Sequence, residues 1–385
     1  MKVTHFVRRL AATSSLFVVT GLCAGLATFG CQAAEQAPGG SVLYAQTHVD
    51  KSDSPNGTSV YRAPAAGGVV TNLIPLSLGT LDLGERWSPY GRAIVFERVA
   101  TKDWFTESQL YRMDSKGGTP QQITLGNSRH QLPVWGPSGW IAYVEGGVDN
   151  HQCLALVRPR GEDQHVLFCP GPADAVFQAP QWSLDGKELF AEVHYYASTG
   201  VNPPAYSDVY RVDVLTGKAT RISHLNIGDV AHLAIAPDGS CGVYAWDATS
   251  AMAIVNFSSG KMLGSEFGNL YGSSPHWSHD GKMIAFAKTV AVPGSSYGTF
   301  GAVFVMAADG THVHAITTHP VAFDYYTPVQ WSNDDTHMLL NRTRYVVQGP
   351  QAGQYFSVQM LDIYRQAITA VAQNGTAGDG AWEPY

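Results

Sequence analysis

One tryptophan-led motif recurs along this chain, short apolar runs and tight-turn signals fill the intervals, and the two ends hold complementary halves of a single repeat. Together these predict an all-β fold, a seven-bladed β-propeller whose ring is closed by pairing of its N- and C-terminal strands. The motif comes first. It reads Trp87-Ser-Pro-Tyr-Gly91, Trp135-Gly-Pro-Ser-Gly139, Trp182-Ser-Leu-Asp-Gly186, Ile235-Ala-Pro-Asp-Gly239, Trp277-Ser-His-Asp-Gly281 and Trp331-Ser-Asn-Asp-Asp335. With Trp382 added, the slot holds six of the nine tryptophans, at intervals of 42 to 54 residues, which is the length of a propeller blade.

Each copy is followed by the same chemistry, as in Met283 to Ala287, a loop, Ala302 to Met306, Asp309-Gly310 and then His314 to Thr317. That is four short strands joined by turns. The Asp-Gly pair supplies the positive φ that a hairpin turn needs. The second strand of each unit is apolar on both sides, as expected where a sheet is covered on both faces, and the tryptophan can fill the wedge between neighbours. A β-sandwich would not repeat one motif at a fixed period.

The ends set the count. Trp382 to Tyr385 is a motif without strands after it, and Gly39 to Ala45 is a strand without a motif before it. Joined, they make one blade, and pairing them removes two exposed edges. Six complete units plus the shared one give seven blades. Six or eight are the alternatives, because Ile235 replaces the tryptophan and the third unit is worn.

Trp277 to Phe286 and Trp182 to Phe190 preserve the pattern Trp-Ser-x-Asp-Gly-Lys followed by an apolar strand. This resembles the TolB-type propeller repeat, found also in the propeller domains of prolyl oligopeptidase relatives. The resemblance covers nearly all of residues 39–385 and implies a TolB-like propeller without TolB's N-terminal domain and without a hydrolase domain. Such repeats serve binding proteins, peptidase gating domains and a few lyases, so the resemblance speaks to fold and carries no activity with it.

Lys2, Arg8 and Arg9 precede an uncharged, mostly apolar stretch from Leu10 to Gly30. Residues 1–34 therefore read as a signal peptide cleaved near Ala33 or Ala34. Two alternatives stay open: a retained membrane anchor, and a lipoprotein leader ending before Cys31, whose lipidation would tie the chain to an outer membrane. The expected location is periplasmic or secreted, within the cell envelope. Loss of the leader takes three cations and shifts the formal charge from −7 to −10, which argues against nucleic acid as a partner. Of the cysteines, Cys153 and Cys169 flank a hairpin centred on Gly161 and so face one another, predicting a disulfide with Cys241 left as a buried free thiol.

In a four-stranded blade the Asp-Gly turns lie at one end of the ring. The other end collects the inter-blade connections and the longer loops, including Tyr195 to Tyr206, Val290 to Phe300 and Tyr345 to Tyr355, and function concentrates on such loops. Candidate ligand-binding residues there are Trp104, Arg129, His130, Asp174, Tyr195, Tyr196, Asp229, His232, Tyr297, Tyr325, Tyr326 and Asp379. Aromatic rings interspersed with polar groups suit a peptide, protein or glycan. Loops packed on one another would explain the same residues.

Chemical motifs are sparse. Gly294 to Gly298 matches a nucleophile elbow around Ser296, yet that motif needs a strand-turn-helix. His312 with His314, and His276 with His279, could each offer two metal ligands, with no third implied. Asp334 and Asp335 occupy the repeat's own turn. No catalytic residue, metal or cofactor is expected, and a monomer is. The expectation is a non-catalytic envelope propeller binding a protein, peptide or glycan on its long-loop face. The alternative is a propeller enzyme of the polysaccharide lyase or hydrolase type, with a funnel metal or a carboxylate–histidine set drawn from Asp229, His232, Asp174 and His130.

Overall fold

The computed structural model describes residues 40–49, 55–103, 107–146, 151–171, 175–178, 180–195, 206–223, 230–246, 251–263, 272–295, 298–317, 320–347, 352–373 and 383. The expected leader, with Cys31, lies outside them. Among the described residues strand follows strand, interrupted by one short 3-10 turn at Thr101–Asp103. β1 (Ser41–Val49), β2 (Pro55–Pro64) and β3 (Thr71–Ile74) form one antiparallel meander. β4 (Thr80–Trp87), β5 (Ala93–Ala100), β6 (Gln109–Asp114) and β7 (Gln121–Gln122) form the next. β8 (Arg129–Trp135), β9 (Ile141–Gly146), β10 (Gln152–Val157) and β11 (His165–Phe168) follow.

In the fourth meander the first strand is split into β12 (Ala175–Phe177) and β13 (Gln181–Trp182), both paired to β14 (Glu188–Tyr195), and then come β15 (Tyr206–Asp213) and β16 (Ala219–Arg221). The fifth comprises β17 (Val230–Ile235), β18 (Cys241–Trp246), β19 (Met252–Asn256) and β20 (Met262–Leu263). The sixth is β21 (Ser273–Trp277), β22 (Met283–Ala291), β23 (Thr299–Ala307) and β24 (His314–Ala315). The seventh is β25 (Asp324–Trp331), β26 (His337–Val346), β27 (Gly353–Asp362) and β28 (Ala367–Gln373). Single parallel bridges, Gly57 with Thr80 and Gly301 with Tyr325, join the first meander to the second and the sixth to the seventh.

The motif explains the turns. Ser278 Oγ accepts the Met283 amide and donates to Asp280 Oδ1, which also accepts the Lys282 amide. Ser183, Asp185 and Lys187 repeat the arrangement. Gly186 and Gly281 then turn the chain at φ of 67° and 68°, a left-handed conformation that costs a side chain energy. In the last copy Asp335 adopts φ of 55° instead. Its carboxylate accepts the backbone amides of His279 and Asp280 in the preceding meander's turn, at 2.8 and 2.9 Å, so the strained residue ties two turns together.

The tryptophans join neighbours. Trp182 Nε1 donates to Val134 O, Trp277 Nε1 to Ala234 O and Trp331 Nε1 to His276 O, at 3.0 to 3.1 Å. Each acceptor immediately precedes the motif position of the preceding meander. The indole of Trp182 also lies against Gly136, where a Cβ would collide with the ring. Just before this slot the first strands carry a β-bulge or a break, and there the chain places Pro133, Pro180, Pro275 and Pro328, which have no N–H to offer a ladder.

Period-two alternation sets the packing. On β9, Ile141 and Tyr143 face the second meander's Val95 and Leu110, while Ala142 and Val144 face the fourth meander's Leu189 and Ala191. On β14, Phe190 turns the other way, toward Tyr244 and Val255. β18 sends Val243 and Ala245 to Phe286, and Ala285 points on to Trp331 and Leu340. A final cluster unites Leu339, Val358 and Met360 with Val42, Leu43 and Val60, and continues to Trp87, Ile94 and Phe96. Glu383 N donates to Ser41 O at 2.8 Å, and its carboxylate lies 3.9 Å from Arg62. Trp382, Pro384 and Tyr385 lie outside the described residues.

The expected disulfide joins Cys153 to Cys169 across the β10–β11 hairpin, and Cys241 is a buried free thiol.

Replacing Trp331, which is 1% exposed, by Phe leaves the His276 carbonyl without its donor and opens a void. Trp331→Phe is expected to lower unfolding free energy by about 2–4 kcal/mol. Urea unfolding checks it, and a change under about 0.5 kcal/mol would show the indole contact to be dispensable.

Candidate functional site

The first strands of several neighbouring meanders touch one another, β4 with β8, β17 with β21 and β21 with β25. Toward the long loops, on outer as well as first strands, sits a set of charged and polar pairs. Asp82 on β4 takes a two-pronged guanidinium from Arg98 at 2.6 and 2.9 Å, and Asp324 on β25 takes Arg342 in the same way. Arg98 also lies over the Phe96 and Tyr111 rings, and Arg342 over Tyr326. Glu97 meets Arg129 at 3.2 Å, Asp208 meets Arg221 at 2.8 Å and Glu192 meets His194 at 2.9 Å. Burial pushes the Glu97 carboxyl up while Arg129 pulls it down. The acids of these pairs are already matched, which fits fixed geometry better than proton transfer.

Beside this set the β26–β27 hairpin changes character along one face. Leu339 and Val358 are buried in the last apolar cluster. Further out the same face carries Phe356, opposite Thr343, and Tyr345, opposite Gln354, 40% and 43% exposed. Tyr345 packs edge-on against Tyr325 with ring centroids 6.0 Å apart, and its hydroxyl accepts a hydrogen bond from Gln354. Tyr325 in turn shares a 2.7 Å hydroxyl contact with Thr299 of the sixth meander. Tyr355, opposite Arg344, is exposed on the other face of the hairpin, and Val347 is exposed just past β26. The aromatic ledge of Tyr325, Tyr345 and Phe356 is the candidate ligand face.

The sequence-based candidates fall into three groups. Tyr325 joins the ledge. Arg129, His130, Tyr195 and Tyr326 are instead held by their neighbours: Arg129 on Glu97, Tyr326 beneath Arg342, and Tyr195 stacked on Tyr206 with its hydroxyl 2.8 Å from that of Tyr210. Burial raises the Tyr195 phenol's pKa. His130 is fully buried, with Nδ1 3.0 Å from Ser108 O and Nε2 3.8 Å from Glu145, and its ring holds the Glu145 carboxyl below the usual range. Trp104, Asp174, Tyr196, Asp229, Tyr297, Asp379 and Ser296 lie outside the described residues, and His232 is placed on β17 opposite Ala245 without a described side chain. His279 leans on Asp335, and His314 on the His312 carbonyl.

At the short-turn end the first strands line an open pocket of about 430 Å³. Trp135, Trp182 and Trp277 line it with Pro180, Arg86 and His276. The sequence reading missed it, although the position before each motif tryptophan varies (Arg86, Val134, Gln181, Ala234, His276, Gln330) within an otherwise regular repeat. Next to Arg86, Glu85 is buried with Oε1 unpartnered. Burial raises its carboxyl to about 7, with nearby Asp82 adding to the rise.

No family model matches the chain, and no curated protein matches its sequence. Solved structures do resemble it. An oligogalacturonate lyase from Vibrio parahaemolyticus is 14% identical with a TM-score of 0.57 over 90% of each chain. A puromycin hydrolase is 15% identical at TM-score 0.58, covering 88% of this chain and 53% of that one. The fold is a propeller. TolB from Acinetobacter baumannii is also similar, at 15% identity and TM-score 0.48 over 90% of this chain and 83% of its own. Identities this low carry architecture alone, so neither the lyase nor the hydrolase activity transfers to this propeller.

Glu85 gives a pH test. Its folded pKa lies above the ordinary 4.5, so its contribution is fully present below pH 4.5 and is lost as pH rises through about 7. Relative to wild type, Glu85→Gln is expected to gain about 3 kcal/mol of stability between pH 4.5 and pH 8. Denaturant unfolding at the two pH values checks it; an unchanging difference would place the carboxylate in contact with water.

Proposed function

We propose that this chain is an exported, non-catalytic propeller of seven blades, closed by its own two ends, that binds a peptide or glycan on its long-loop face. The binding reading rests on the aromatic ledge of Tyr325, Tyr345 and Phe356. Half-exposed rings on a rigid hairpin offer flat apolar contact at little conformational cost, and the Arg342 and Asp324 side chains beneath fix its base. The seven meanders support the blade count. The Glu383–Ser41 hydrogen bond and the apolar cluster shared by β1, β2, β26 and β27 support closure. The Cys153–Cys169 disulfide fits an extracytoplasmic protein, in the periplasm or secreted, free or lipid-anchored through Cys31.

Two experiments test this. Deleting residues 382–385 is expected to cost more than about 2 kcal/mol of stability, because the first meander loses its inner neighbour. Unchanged urea unfolding of the truncated chain would leave the ends unjoined. For binding, isothermal titration against a panel of oligosaccharides and extended peptides is expected to find one class held by wild type. Tyr345→Ala with Phe356→Ala should weaken it at least tenfold, about 1.4 kcal/mol, with far-ultraviolet circular dichroism unchanged. Equal affinity in the variant would move the site elsewhere, and a ligand turned over by the protein would replace the scaffold reading with an enzyme.

A further inference from the structure

We propose that His151, Cys153 and Cys169 form a zinc site that the disulfide holds shut and a dithiol reductant opens. The donor atoms of these three residues lie within 4.8 Å of one another. The sheet fixes the backbone of Cys153 and holds His151 and Cys169 as the immediate flanking residues of paired strands. Cys153 sits in the β9–β10 ladder opposite Glu145, His151 is one residue ahead of β10, and Cys169 follows Phe168, which pairs with Leu154. Reduction therefore leaves two thiols and an imidazole gathered at one spot.

The donor set suits zinc. Thiolate sulfur binds Zn²⁺ at about 2.3 Å and imidazole nitrogen at about 2.0–2.1 Å, so tetrahedral coordination wants sulfurs about 3.8 Å apart and each about 3.5 Å from the nitrogen. The chemistry balances: the dithiol gives two electrons and two protons to the disulfide and becomes a disulfide itself, and Zn²⁺ then displaces the two thiol protons as both sulfurs become ligands. Three protein donors leave the fourth position to water. Cys241 belongs to β18, in another meander, and takes no part. Because β10 begins where a loop between second and third strands ends, the metal would sit at the same end of the propeller as the aromatic ledge, though the proposal does not depend on ligand binding there.

The test uses the full mature chain, reduced with a phosphine that does not chelate zinc. Competition with a chromophoric chelator is expected to show one Zn²⁺ bound per reduced chain and none per oxidised chain. His151→Ala should weaken binding at least tenfold, and Co²⁺ in place of zinc should give thiolate charge-transfer absorption. Zinc should also protect Cys153 and Cys169, and not Cys241, from maleimide, as read by peptide mass. Reduced wild type binding zinc no better than Cys153→Ser with Cys169→Ser, or than maleimide-blocked wild type should that variant fail to fold, would overturn the site. So would equal binding by His151→Ala.

Discussion

The structure depends on sheets that bury both faces. A strand such as β9 gives Ile141 and Tyr143 to one neighbour and Ala142 and Val144 to the other, so this sheet has no side for water at its middle. Each meander is stable only between two others, and a linear stack would leave its outer members with an apolar face bare. The apolar cluster that reaches from Leu339 to Val42 and on to Ile94 answers that constraint for the first meander, covering its strands from the seventh on one side and the second on the other. The indole–carbonyl bonds and the Asp335 tie act on the same joints, adding direction to a packing force that has none.

Much of this was legible in the sequence because the repeat chemistry is local. Ser278, Asp280 and Gly281 lie within one turn, and their hydrogen bonds follow from spacing. The disulfide was legible for the same reason, since a hairpin about Gly161 sets its flanking residues opposite. Register is different. Whether Asp82 meets Arg98, or Asp324 meets Arg342, depends on which residues a hairpin aligns and which way they point, and no composition signal reports that. His130 and Tyr195 illustrate the cost: both sit where loops were expected, yet the pleat turns them inward. Tyr345 and Phe356 lie beyond the last apolar contact of their face, where the pleat leaves them in solvent.

The two ends of the first strands differ in kind. Toward the long loops, charged groups are matched pair by pair, which makes a stiff floor under the exposed rings. Toward the short turns, indole and proline rings line an open pocket, and Glu85, the chain neighbour of the lining residue Arg86, has one oxygen without a hydrogen-bond partner. Stiffness where contact with a ligand is proposed, and an uncompensated acid at the opposite end, divide binding from the pH response of stability.

The outermost strands of the second to sixth meanders are brief: β7, β20 and β24 have two residues each, β16 three and β11 four. A rim this short offers a visiting polypeptide too few amide and carbonyl groups to dock as an added strand. These five edges give fibril growth little to build on, which leaves the seven-residue β28 as the longest outer strand among the described residues.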